Sequence, residues 1–166
     1  MSEERLQAAP TGVPRELDQQ SLECWGAELG CAAVEGRVFV CLYGPLGAGK
    51  STVVRAACRG AGVTGPIPSP TFTLLNRHET PAGQPVWHAD LYRLDQPELL
   101  VDAGWPELLE AEGAVFVEWA ERAAEWLPAD RWDVALEFTE QPATRRVSIR
   151  SIGAAPPPPG LPAAPC

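Results

Sequence analysis

Apolar and polar residues alternate between two periods along this chain, and the stretches with almost no polar interruption stand out first. Arg37–Tyr43 (RVFVCLY) is nearly continuous in apolar and β-branched residues, the pattern of a strand covered on both faces, and it predicts a central strand. Ala114–Trp119 (AVFVEW) repeats that pattern and places a carboxylate at its end; Val86–Tyr92 (VWHADLY) is a third, shorter apolar run. Leu22, Trp25 and Leu29 fall on one helical face behind Asp18 or Ser21, either of which can cap, so a helix is predicted over 19–34. Lys50–Arg59 reads as a second helix, stopped at Gly60-Ala61-Gly62.

The remaining segments are weaker. Ser69–Arg77 (SPTFTLLNR) is rich in β-formers and predicts a strand joined to the Val86 run by a loop at Pro81–Pro85. Helical stretches are predicted near 97–103, 105–112 and 120–126, and Asp133–Thr139 with Arg145–Ile152 predicts a closing hairpin turning at Gln141-Pro142-Ala143. This order of elements predicts an α/β protein with a mixed, mostly parallel central sheet in three layers and a C-terminal β-hairpin.

At 166 residues the chain suits one domain. Residues 1–14 are polar and proline-punctuated and are expected to be flexible. Residues 153–166 (GAAPPPPGLPAAPC) offer little side chain to bury and are expected to be a disordered tail, which leaves 15–152 as the domain. No run of about 18 apolar residues is present and the N-terminus lacks an export order, so a soluble cytoplasmic chain with no membrane contact is expected. Five cysteines, odd in number and without a CxxC pair, argue against a disulfide framework and a zinc knuckle. Cys24 and Cys31, seven apart, are expected to share a buried helix face. The net charge of -9, with no basic cluster beyond Arg145-Arg146, leaves no footprint for a phosphate backbone, so any RNA is expected to be held by another protein.

The chemistry concentrates in Gly44-Pro45-Leu46-Gly47-Ala48-Gly49-Lys50-Ser51, which satisfies the Walker A pattern G-x-x-x-x-G-K-[ST] between a predicted buried strand and a predicted helix. That context makes the expected fold a P-loop NTPase. Glycines let successive backbone N–H groups turn inward around phosphates, and the helix start adds its positive end. Lys50 is expected to reach the β and γ phosphates of ATP, and the Ser51 hydroxyl to ligate Mg2+. Twelve of the thirteen basic residues are arginine; Lys50 is the only lysine, at the one position where a compact ammonium must fit among phosphates.

A second carboxylate is needed beside the metal, and Glu118, ending its apolar run, is the metal-side acid; the alternative is a solvated residue at a strand end. Asp90 is the other acid following apolar sequence, able to orient water or hold the metal shell, with a turn or cap role as its alternative. Thr71 and Thr73 alternate with Phe72 and Leu74, which fits the polar face of a strand and equally a loop that senses the γ phosphate. His78 and His88, ten apart with no cysteine near, do not suggest a metal site, and Trp119 beside Glu118 is read as core.

Gly44–Thr52 (GPLGAGKST), Ser69–Phe72 (SPTF), His88–Leu94 (HADLYRL) and Val117–Arg122 (VEWAER) together resemble, in order and spacing, the TsaE (YjeE) family over roughly residues 16–152. The resemblance implies a P-loop α/β sandwich and a small ATPase needed in bacteria for threonylcarbamoyladenosine modification of tRNA. It also implies TsaD and TsaB as partners that carry the transferase chemistry and engage tRNA, with ATP hydrolysis resetting the assembly. By motif match Lys50 and Ser51 fall on the family's phosphate and magnesium residues, Thr52 on its second P-loop hydroxyl, Asp90 on the acid of its HxDLYRL switch, and Glu118-Trp119 on its EW pair. Ser51 stands where threonine is common, Pro45 for an aspartate, Ala89 for a larger apolar residue and Ala120 for a proline; these departures bear on loop shape. Two other functions stay open from the residues: a small-molecule kinase closing Arg93 and Arg122 over a phosphoryl group, and a non-catalytic module whose nucleotide orders a docking surface.

Overall fold

A computed structural model describes residues 12–163. In chain order the elements are β1 (Arg15–Asp18), α1 (Gln19–Gly36), β2 (Phe39–Tyr43), α2 (Lys50–Gly60), β3 (Leu75–Glu79), β4 (Pro85–Asp90), α3 (Leu99–Asp102), α4 (Trp105–Leu109), β5 (Ala114–Glu118), a 3-10 helix (Ala120–Trp126), β6 (Arg131–Phe138) and β7 (Thr144–Ile152). The strands form one seven-stranded sheet in the order β1-β7-β6-β2-β5-β4-β3. Pairings β6-β2, β2-β5 and β5-β4 are parallel, while β1-β7, β7-β6 and β4-β3 are antiparallel. The sheet is therefore mixed. Three of its six pairings are parallel, although five strands run in one direction, because β7 and β3 alone reverse.

Side-chain alternation along the strands builds two cores. Val40 and Leu42 of β2, Phe116 of β5, and Trp132, Val134 and Leu136 of β6 face α1 and α2. Cys41, Val115, Val117 and Ala89 face the opposite way, against Leu100 of α3 and Trp105 and Leu108 of α4. Helices cover both faces of the parallel centre, as near-continuous apolar strands require. Asp18 caps α1 by accepting the Ser21 N–H at 2.8 Å. The two helices on that face touch backbone to backbone: a Cβ added at Gly30 would lie 1.8 Å from the Ala57 carbonyl oxygen.

Several sequence expectations give way here. The segment Ser69–Leu74 is not strand; β3 begins only at Leu75, because Leu74 takes a left-handed φ of 62° with its N–H turned back to Pro70 O at 2.8 Å. Four-residue β1 was not anticipated: only Leu17 in it is buried, and its pairing comes from β7, far along the chain. The helices near 97–103 and 105–112 shorten to α3 and α4, separated by Gly104 at φ 87°.

Cys24 and Cys31 are not core; Cys24 is half-buried and Cys31 exposed, flanking a face of α1 built from Leu22, Trp25, Gly26, Leu29 and Ala33. Among the described residues the buried thiols are Cys41 and Cys58. The tail also departs from expectation. Residues 153–163 lie along the domain: the Trp132 indole donates to Pro156 O at 2.6 Å, Ser151 Oγ donates to Ala155 O at 2.7 Å, and Ala155 and Leu161 pack on the α1/α2 core. Prolines have no N–H to leave unpaired, so such a segment needs few partners to lie on a surface. The flexible-segment expectation for 1–14 falls mostly on residues outside those described. Among the described residues no helix is long and apolar enough to cross a membrane.

Candidate functional site

The site forms where the parallel strands end. After β2 the chain turns through Gly44, Gly47 and Gly49, all at positive φ (141°, 80° and 102°). At Gly44 a Cβ would sit 2.3 Å from Leu136 O, so the loop's first step admits only glycine. Lys50 opens α2 and is 4% exposed. Its ammonium donates to Gly44 O at 2.5 Å and Pro45 O at 2.9 Å, and lies 3.7 Å from the centre of the Trp119 ring. Burial pulls its pKa below the ordinary lysine value, against the opposing pull of Glu118, Glu121 and Asp90.

Glu118, the last residue of β5, is 2% exposed. Its Oε2 accepts from Ser51 Oγ at 2.8 Å, and its Oε1 lies 2.8 Å from His88 Nε2. The sheet register explains this. Asp90 pairs with Glu118 and His88 with Phe116 across β4 and β5, so with period-two alternation His88, Asp90 and Glu118 all project toward the face where α2 begins.

Asp90 is 6% exposed; Oδ1 accepts the Tyr92 N–H at 3.0 Å, and Oδ2 accepts from Ser69 Oγ and Thr71 Oγ1, each at 3.4 Å. Thr73 points elsewhere, donating to Asn76 Oδ1 at 2.9 Å. The strand-face reading of Thr71 and Thr73 is thereby lost. Trp119 follows Glu118 in a left-handed conformation, φ 58°, and is half-buried, its ring 5.0 Å from that of Tyr92. It packs on the edge of the core shared with α3 and α4 and also covers the lysine.

Of the residues singled out in the sequence, the structure brings together Lys50, Ser51, Asp90 and Glu118, with Gly44–Gly49 around the ammonium. Thr52 is half-buried in the first turn of α2. His78 lies on β3, outside this group. Sequence reasoning missed His88, although the two-residue spacing of His88 and Asp90 already put both on one strand face. It also missed a cluster on the sheet face opposite α1 and α2, where buried Asp133 receives Arg131 Nε at 2.8 Å, Arg150 Nη2 at 3.1 Å and the Tyr43 hydroxyl at 3.3 Å. Burial raises the Tyr43 phenol well above its ordinary pKa, so it stays a neutral donor immediately before Gly44. No sequence signal joins these four, because they come from three strands.

An ammonium, a hydroxyl and two carboxylates at a glycine-lined helix start are groups that can hold polyanionic oxygens and a hard divalent cation. Residues 17–147 match the family described as Threonylcarbamoyl adenosine biosynthesis protein TsaE. The chain belongs to the TsaE family. It is 41% identical over 127 residues to the tRNA threonylcarbamoyladenosine biosynthesis protein TsaE of a Nostoc species, covering 75% of this chain and 76% of that one. The TsaE protein of Bacillus subtilis is 34% identical over 128 residues, covering 76% and 78%. The TsaE protein of Mycobacterium tuberculosis is 38% identical over 141 residues, covering 80% and 81%. Among solved structures, Bacillus subtilis YdiB superposes with a TM-score of 0.67 at 23% identity, over 86% of this chain and 90% of that one, a likeness of fold. Membership in the TsaE family ties the chain to tRNA threonylcarbamoyladenosine biosynthesis.

Proposed function

We propose that this TsaE-family chain is a Mg-dependent ATPase of the P-loop NTPase type, and that it supports threonylcarbamoyladenosine modification of tRNA by acting on a TsaD–TsaB transferase complex. Hydrolysis resets that assembly for another turnover. The observation that carries the reading is the convergence of Lys50, Ser51, Glu118 and Asp90 on the glycine loop.

In this reading the N–H groups of Gly44–Thr52 and the start of α2 receive the β and γ phosphates, and Lys50 swings from the carbonyls of Gly44 and Pro45 onto phosphate oxygen. Ser51 Oγ and Glu118 Oε2, hard oxygens 2.8 Å apart, suit Mg2+, which takes few protein ligands and completes its shell with phosphate and water. Bound there, the ion would neutralise charge on the β and γ phosphates. Asp90, beside Glu118 in register, accepts a hydrogen bond from the attacking water and orients it. The net charge of -9 supports leaving tRNA to the partners. A kinase reading draws no support from its arginines: Arg93 lies 4.5 Å over the exposed Phe72 ring, and Arg122 donates to Leu94 O at 3.3 Å.

The test is turnover in the presence of TsaD and TsaB. At saturating Mg2+, Glu118→Gln should keep ATP affinity and lose roughly a hundredfold in turnover, the scale of one electrostatic element acting in the transition state. Turnover equal to the parent's would return the site to a binding module.

A further inference from the structure

We propose that His88 is the positioning residue for Glu118: it fixes one carboxylate oxygen so that the other is presented to the Ser51 hydroxyl and to the cation. The proposal rests on the reading of Glu118 as the metal-side acid.

Three observations carry it. The two side chains are 1% and 2% exposed and 2.8 Å apart. The imidazole's other nitrogen, Nδ1, is buried with no hydrogen-bond partner among the described residues, so the ring's polar contact is directed at Glu118. Finally, His88 is offset by one strand alternation from Asp90, the register partner of Glu118, which makes it a diagonal neighbour on the same face. The ring is thus delivered by the sheet backbone and not by a flexible arm.

Burying a carboxylate is costly unless every oxygen is satisfied. Ser51 alone satisfies Oε2, from a helix start; His88 satisfies Oε1, from the sheet. A carboxylate held at both oxygens cannot rotate about its terminal bond, so the oxygen facing Ser51 is fixed before any cation arrives. Partners of this kind, one bond removed from a metal, change metal affinity by about 10–100-fold when lost.

The test uses two polar variants. In His88→Gln the side-chain amide nitrogen reaches the position of Nε2, whereas in His88→Asn it reaches only that of Nδ1. ADP binding is followed by calorimetry across a Mg2+ titration, so the readout does not depend on turnover. His88→Asn should raise the Mg2+ concentration for half-effect by about tenfold while leaving Mg-free ADP affinity at the parent value. His88→Gln should recover most of the loss, and adding His88→Asn to Glu118→Gln should change nothing further. The proposal is overturned if His88→Asn lowers the melting temperature without moving the Mg2+ dependence, or if its effect persists in the Glu118→Gln background. A parent protein whose ADP binding ignores Mg2+ would instead remove the metal-side reading of Glu118, and His88's role with it.

Discussion

The ends of β5 and β4 lie side by side, each an apolar strand finishing in a carboxylate and the two acids in register, yet the carboxylates are held very differently. Glu118 is tied at 2.8 Å on both oxygens to groups on regular elements, Ser51 at the start of α2 and His88 within β4. Asp90 takes the Tyr92 N–H on Oδ1 at 3.0 Å, from the turn after β4, while its Oδ2 is tied only at 3.4 Å to Ser69 and Thr71, hydroxyls of an irregular segment whose tip, Phe72, is 83% exposed. Strand register places both acids equally well; what differs is whether the second partner belongs to the scaffold or to a loop. A fixed acid suits a metal-side role and a loosely tethered one suits a switch.

The largest blow to the fixed side is Lys50→Ala. Its ammonium meets loop carbonyls at the mouth of the site and not the apolar core, so the variant should keep the fold. Nucleotide affinity should fall by about a hundredfold or more, the worth of one or two charge-assisted hydrogen bonds to phosphate. Calorimetry with ATP checks it, and unchanged affinity would sink the phosphate-loop reading.

Asp90→Asn sharpens the contrast between the two acids. Turnover with TsaD and TsaB should drop by up to roughly a hundredfold, as for a lost water-orienting group, while ADP affinity and its Mg2+ dependence stay at the parent values. If Asp90→Asn instead shifts the Mg2+ titration as strongly as Glu118→Gln, the division into a fixed metal-side acid and a switch acid is wrong.

What was legible in the sequence follows the same divide. Elements with their own periodicity and end signals, such as α1 with its Asp18 cap, β2, α2 and β5, read directly, and the glycine loop needed only its place between strand and helix. Features made by distant pairing did not. Edge strand β1 exists because β7 offers it a partner. The docked tail depends on the Trp132 indole and a hydrophobic ledge on the α1/α2 core, neither visible in GAAPPPPGLPAAPC. Ser69–Leu74 carries β-forming residues, but its conformation is dictated by the Leu74 turn and by Asp90 in another strand. His88 read as an isolated histidine because its partner lies 30 residues away.

The smallest effect separates two threonines that the sequence left equivalent. Thr71 Oγ1 reaches Asp90 Oδ2 at 3.4 Å and exchanges a 2.9 Å hydrogen bond with Ser69, whereas Thr73 Oγ1 donates to Asn76 Oδ1, away from both acids. Valine matches threonine in shape and lacks the hydroxyl, so Thr71→Val removes one long bond to Asp90 and one to Ser69 without opening a void. Bonds of this kind are worth about 0.5–1.5 kcal/mol each, and the exposure of the segment places the effect at the low end. Turnover with the partner proteins should therefore fall only a few-fold, roughly two to ten, with ADP affinity unchanged. Thr73→Val should match the parent in the same assay, because its hydroxyl is taken up by Asn76 of β3. Equal losses from the two variants would mean that the hydroxyls act through the loop's shape and not through Asp90, and the switch side of the comparison would lose its chemical connection to the acid.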